Sequence, residues 1–171
     1  TSDTIMASLK VVAVLKAFAK PSPDTQVKQG DTAGILAFHI VNQNPLDNAS
    51  PPDTISILTV TLGQGPDSAI KSVQLWYDSG AIGIFQPSID ILRDSKDISG
   101  TSVTLNFAIP DQIFQAGDTR HFIVAVSIYD TAILGTQLDM HIATGGIGHI
   151  LTGNVPETSV NSLGVMTIVA S

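Results

Sequence analysis

Apolar residues recur at every second position along most of this chain, and that spacing constrains the fold more than any other feature. The cleanest series is Phe122, Val124, Val126 and Ile128. Successive side chains of an extended strand point to opposite faces, so such a series lines one face of a sheet. Similar series are Leu36, Phe38 and Ile40; Val73, Leu75 and Tyr77; Val103, Leu105, Phe107 and Ile109; Leu138, Met140 and Ile142; and Leu163, Val165, Thr167 and Val169. Residues 55–62 read as a further strand and residues 82–85 as a short one. Near the N-terminus, Leu9, Val11, Ala13, Leu15 and Ala17 alternate with Lys10, Val12, Val14, Lys16 and Phe18. Its valines favour a strand over a helix.

Turn signals separate these runs. Pro21-Ser22-Pro23-Asp24, Gly63-Gln64-Gly65-Pro66-Asp67 and Gly145-Gly146-Ile147-Gly148 all break regular structure. Gly30-Asp31-Thr32 and Gly117-Asp118-Thr119 each launch an apolar strand. In both, the Asp is expected to bond the amides that follow. The spacing predicts an all-β sandwich of about nine strands, immunoglobulin-like or jelly-roll, with no helical period competing. A chain of 171 residues suits one core. We divide it into an N-terminal strand, residues 1–20, and a sandwich domain, residues 21–171.

Charge narrows the setting. Charged residues are 13% of the chain, about half the usual share for soluble domains. Thr, Ser, Asn, Gln and Gly fill the gap, a surface more common on secreted and assembled proteins. The net charge of -7 argues against nucleic acid and anionic membranes. There is no Cys, so disulfides, zinc-thiolate sites and thiol catalysis are excluded. Lys16 interrupts the best apolar run, leaving none long enough to span a bilayer. Thr1 in place of an initiator Met is expected to be a mature terminus left by leader cleavage, although a trimmed chain would look the same.

A family resemblance rests on several segments. They are Gln26-Val27-Lys28-Gln29-Gly30-Asp31-Thr32 with the strand ending at Asn42, residues 55–62, and Ile70-Lys71-Ser72-Val73-Gln74-Leu75-Trp76-Tyr77-Asp78. Phe114-Gln115-Ala116-Gly117-Asp118-Thr119 and the strand of residues 122–129 complete it. Together they resemble the immunoglobulin-like β-sandwich modules of bacterial and archaeal surface proteins. In such modules the stretch after the Leu-Tyr strand often carries an acidic, calcium-loop-like sequence. Here residues 78–85 lack the alternate oxygen ligands after Asp78. A calcium site would have to draw on Asp78, Asp90 or Asp94, and loop solvation is the simpler role. In architecture and composition the chain is also similar to extracellular filament subunits, such as TasA-like biofilm fibres and archaeal bundling pili. That resemblance implies an extracellular or cell-surface location and a subunit that polymerises with itself.

The N-terminal segment gives the filament reading its physics. Residues 5–19 are apolar and precede a Pro-Ser-Pro hinge. Extended, they span roughly 50 Å at about 3.3 Å per residue. Inserted into a neighbour, they would add a strand, with Ile5, Leu9, Val11, Val12, Val14 and Leu15 as the donor residues. Such a contact does not close on itself and gives a fibre. The competing reading makes this segment the first strand of its own sandwich. A second function class is a surface adhesion module, binding polysaccharide or protein, within a larger secreted protein.

No residue set points to catalysis, and no cofactor is expected. Asp139 and His141 lie two apart on one strand face and could gather His149 into a metal site, but surface or hydrogen-bonded histidines are the simpler reading for these and for His39 and His121. No Ser, His and Asp stand in a recognisable triad context. Trp76 and Tyr77 are adjacent and should point to opposite faces, one into the core. Asn48-Ala49-Ser50 is a glycosylation sequon in a polar loop.

Overall fold

The computed structural model describes residues 15–20, 24–43, 52–162 and 164–171. Two sheets face each other, as the alternation requires. The first runs, in spatial order, β1 (Leu15–Lys20), β3 (Thr32–Asn42), β9 (Thr119–Ile128), β5 (Ile70–Tyr77) and β6 (Ile91–Lys96), with every neighbour antiparallel. The second is built around the long β4 (Asp53–Gln64). One edge of β4 pairs with β7 (Ser102–Asn106), while β10 (Gln137–Ile142) and β11 (Ile147–His149) share the other. Leu58 thus lies between Leu105 and Ile147, and Thr61 between Ser102 and His141. β8 (Ile113–Phe114) meets the start of β4. β12 (Val160–Asn161) and β13 (Met166–Val169) pair with β10, and β2 (Gln26–Lys28) adds to β13 in parallel.

The fold is the expected all-β sandwich, with thirteen strands among the described residues in place of about nine. The surplus is mostly ladder pieces of two or three residues, β2, β8, β11 and β12, too short to show a period. β6 was hidden for another reason: its sequence, ILRDSK, is charged and does not alternate. Residues 82–85 form turns and not the expected short strand. Ile109 leaves the β7 series and opens a one-turn helix, α1 (Ile109–Gln112), because Pro110 suits the first turn of a helix and cannot continue a ladder. The last strand buries Met166 and Ile168, the face opposite to the one expected from Val165, Thr167 and Val169. In β4, Ile55 and Leu58 both face inward although three apart. A bulge against β11 absorbs the extra residue and turns Ile57 outward.

The series Leu36–Phe38–Ile40, Val73–Leu75–Tyr77 and Leu138–Met140–Ile142 all join the core. Gly30 and Gly117 take φ of +82° and +84°, which only glycine adopts without strain. Each closes a turn from the following Asp amide, Asp31 N–H to Lys28 and Asp118 N–H to Gln115. The Asp118 carboxylate bonds backward, accepting the Gln115 amide at 2.9 Å, and not forward as expected.

β9 is the spine. It pairs on both edges, and Phe122, Ile123, Val124, Ala125 and Val126 are all fully buried. Phe122 gathers three rings around it: Phe38, Tyr77 and Phe107, at centroid distances of 5.5, 5.8 and 5.1 Å. Phe107 follows the opposite sheet's β7, so this cluster ties the two layers. Truncating Phe122 leaves a cavity that the flanking strands cannot close. Phe122→Ala is expected to cost about 3–5 kcal/mol, read as a lower denaturant midpoint at unchanged m-value.

Candidate functional site

The connection between β5 and β6 is a compact loop, residues 78–90, held by four side chains. Asp90 is the chief one. Its Oδ1 accepts the amides of Ser79 and Gly80, both at 3.1 Å, and its Oδ2 accepts the Gln86 amide at 2.7 Å. Asp78 Oδ2 accepts the Gly83 amide at 2.7 Å, and Gln86 Oε1 accepts the Ala81 amide at 2.8 Å. Ser79 Oγ donates to the Ile89 carbonyl at 2.7 Å. Asp78 and Asp90 are both buried, so these charge-assisted bonds act where water competes little. A Cβ at Gly80 would push the Gln86 side-chain amide out of its bond to Ala81. Gly83, at φ +82°, makes the bend that brings its amide to Asp78.

This scaffold presents apolar side chains to solvent. Ile82, Ile84 and Ile89 are each just over half exposed, and Ile91 and Leu92 at the start of β6 are 44% and 47% exposed. Leu92 sits opposite Trp76, and Ile91 opposite Tyr77. Trp76 is the outward member of its pair, as expected, and Phe85 of the loop packs edge-on against it at 5.2 Å. Tyr77 turns to Phe122 in the core. Arg93 fixes the strand from below: its guanidinium forms a two-pronged pair with the buried Asp111, at 2.7 and 2.9 Å, and lies over the Tyr77 ring. Scattered exposed aliphatics are ordinary; here Ile82, Ile84 and Ile89 stand on one loop whose backbone is fixed by buried side chains, and Leu92 follows on the outward face beside Trp76.

The residues singled out from sequence fall elsewhere or in other roles. Asp78 and Asp90 lie in the loop as amide acceptors. Asp94 Oδ2 accepts the backbone amide of Asn106 at 2.7 Å and so fastens β6 to β7 across the sandwich edge. Asp139 and His141 share the outer face of β10 and lean over Gly63, where any Cβ would meet them. His149 is not with them. Its Nδ1 lies 2.7 Å from Asp53 Oδ2 and its Nε2 2.8 Å from the Gly153 carbonyl, locking residues 149–153 to β4. Among the described residues, no three of His, Asp and Glu gather as a metal site. His39 and His121 are cross-strand neighbours on the outer face of the first sheet, with rings 5.4 Å apart and Phe18 stacked on His39 at 5.1 Å.

Of the donor-strand set, only Leu15 is described. It is fully buried opposite Asn42, within β1 of this chain's own sheet. Ile5, Leu9, Val11, Val12, Val14 and the sequon Asn48 lie outside the described residues. Sequence reading missed Ile82, Ile84, Ile89, Ile91 and Leu92 as a set. The available signal was several aliphatics in a Gly-, Ser- and Pro-rich stretch where no strand could bury them.

No protein-family model and no curated protein matches the chain. Solved structures do. One is the seventh type I cohesin of ScaB from Pseudobacteroides cellulosolvens, with TM-score 0.47 and 12% identity, covering 92% of this chain and 93% of that one. Another is the sixth cohesin of scaffoldin B from Acetivibrio cellulolyticus, solved with a Cel5 dockerin variant: TM-score 0.41 and 15% identity over 90% and 99% of the two chains. A third is AvmM, which catalyses macrocyclization in alchivemycin A biosynthesis, with TM-score 0.45 and 9% identity over 92% and 89%. Likeness at this level extends to proteins of unrelated function and carries neither partner nor chemistry to this chain.

The Asp90 carboxylate makes a direct prediction. Asp90→Ala leaves three amides without their acceptor and is expected to destabilise the chain by about 1–3 kcal/mol. Hydrogen exchange at Ser79, Gly80 and Gln86 should accelerate more than at β9 amides. Equal acceleration at both would show that the loop does not depend on this side chain.

Proposed function

We propose that this chain is a non-catalytic binding module of an extracellular or cell-surface protein, and that it holds a partner protein through residues 82–92. The carrying observation is the group of half-exposed aliphatics on a loop fixed by buried carboxylates. A rigid apolar surface loses little conformational freedom on docking, which favours affinity. The exposed groups are aliphatic and uncharged, which suits an apolar protein surface better than a sugar. The polar side chains supporting the loop, Asp78, Asp90 and Gln86, accept its own amides. They are spent on structure and not arranged toward a substrate. The weakly charged, hydroxyl-rich composition supports the extracellular setting, and no helix among the described residues is long and apolar enough to cross a membrane.

One observation supports the filament as a second reading. β1 is the outermost strand of the first sheet, and among the described residues it pairs only with β3. A free edge of this kind accepts an added strand. Since Leu15–Lys20 complete the chain's own sheet, the exchanged part in that reading is confined to residues before Leu15.

Site-specific crosslinking separates the two. A photo-reactive phenylalanine at position 84, in the protein displayed on its producing cell, is expected to give one discrete adduct with a different protein. Ile84→Asp combined with Leu92→Asp should weaken binding of that purified partner at least about 100-fold. The same pair should leave unfolding free energy within about 0.5 kcal/mol, because both side chains are surface groups. Adducts only between copies of this chain, with regular filaments by negative stain, would establish the fibre instead. Undiminished partner binding by the double variant would refute the site.

A further inference from the structure

We infer that the opposite end of the sandwich carries a binding site for a neutral saccharide. β5 runs from Ile70 at that end to Tyr77 beside the apolar loop, so the two surfaces are separated by the length of a strand. The inference therefore stands apart from the proposed protein partner.

The loop after β9 lies between two surface cavities. One, of about 230 Å³, is lined by Gly30, Lys71, Tyr129 and Asp130. The other, of about 220 Å³, begins at the next residue and offers the hydroxyls of Ser68, Thr131 and Thr136 beside Pro66 and Ile133. Each is smaller than the pockets that enclose drug-sized ligands, which run to about 300–1,000 Å³, and each is open on one side. Open hollows of this size suit a small polar ligand that keeps one face in solvent.

The chemistry matches that of a sugar ring. Tyr129 is 42% exposed, an aromatic face available to the C–H side of a pyranose. Asp130 only accepts hydrogen bonds and Lys71 only donates them, whereas each sugar hydroxyl does both. The two charges cancel, so the first cavity favours a neutral ligand over a uronate or an amine. The second supplies three hydroxyls and no charge, consistent with the same preference.

The site is also built in advance. The Tyr129 amide donates to the Ala69 carbonyl at 3.1 Å, and the Ala132 amide to the Tyr129 carbonyl at 3.1 Å. Gln29 Nε2 reaches the Ala132 carbonyl at 2.5 Å, and the Gly135 amide bonds the Ile168 carbonyl at 2.8 Å. Three neighbouring segments and one internal turn thus fix the loop through its backbone.

The test is an amide NMR titration of the wild-type chain with cello-, xylo-, manno-, malto- and chito-hexaose, each to about 10 mM, a range that captures binding near −4 kcal/mol and tighter. At least one is expected to shift the amides of Lys71, Tyr129, Asp130 and Thr131. Tyr129→Ala and Asp130→Asn should each weaken that binding about tenfold or more, with spectra otherwise native, while Ile84→Asp leaves it unchanged. No shift at these amides with any of the sugars would overturn the inference, as would binding that maps elsewhere or survives both variants.

Discussion

Everything in this molecule hangs on one strand that has no solvent side. β9 is paired along both edges and buried on both faces, from Phe122 to Val126. Its inward-facing Phe122 packs on Phe38 and Tyr77 of its own sheet and meets the opposite sheet at Phe107. Its outward residues Ile123 and Ala125 are equally buried. A strand so placed has one register, because a slip of one residue would exchange two packed faces at once. With β9 fixed, β3 and β5 follow as its partners, and then the two ends of the sandwich where their loops emerge.

Loops cannot draw on that ladder, and here carboxylates replace it. Asp90 does for residues 79–86 what a neighbouring strand does elsewhere: it gives several amides an acceptor in a dry place. Asp53 does the same for Thr54 and Leu151 while paired with His149. Asp94 joins the edges of the two sheets through Asn106. In a chain with only 15 acidic residues, a large part of its charge is thus invested in backbone order. Of the acidic positions weighed as metal ligands, Asp78, Asp90 and Asp94 accept backbone amides.

The strand faces were legible because alternation reports burial directly. Leu36–Phe38–Ile40 and Leu138–Met140–Ile142 needed nothing more than period two. The signal failed wherever something non-local intervened. In β4 the extra residue at Ser56-Ile57 is legible only with β11 alongside. The terminal strand reversed its face because Val165 and Val169 look as apolar as Met166 and Ile168, and only the pairing with β10 and β2 decides between them. The short strands β8, β11 and β12 exist through their neighbours and carry no pattern of their own. The apolar loop was misread for a related reason: Ile82 and Ile84 alternate like a strand, yet Asp78, Asp90 and Gln86 claim the amides a strand would need.

That misreading says something about the loop itself. Hydrogen bonds from buried side chains already specify its course, so its aliphatics are not needed to fold it. Each of Ile82, Ile84 and Ile89 leaves over half its surface in water, forgoing much of the roughly 1.5–3 kcal/mol that full burial of such a side chain brings. Folding alone would be served as well by Ser or Thr, which this chain uses freely on its other surfaces. The burial these side chains lack within the chain is what a partner's surface would supply. The two proposals divide along the same line: the aliphatic end would meet another protein's apolar surface, and the end with Tyr129, Asp130 and Lys71 would meet a sugar's hydroxyls.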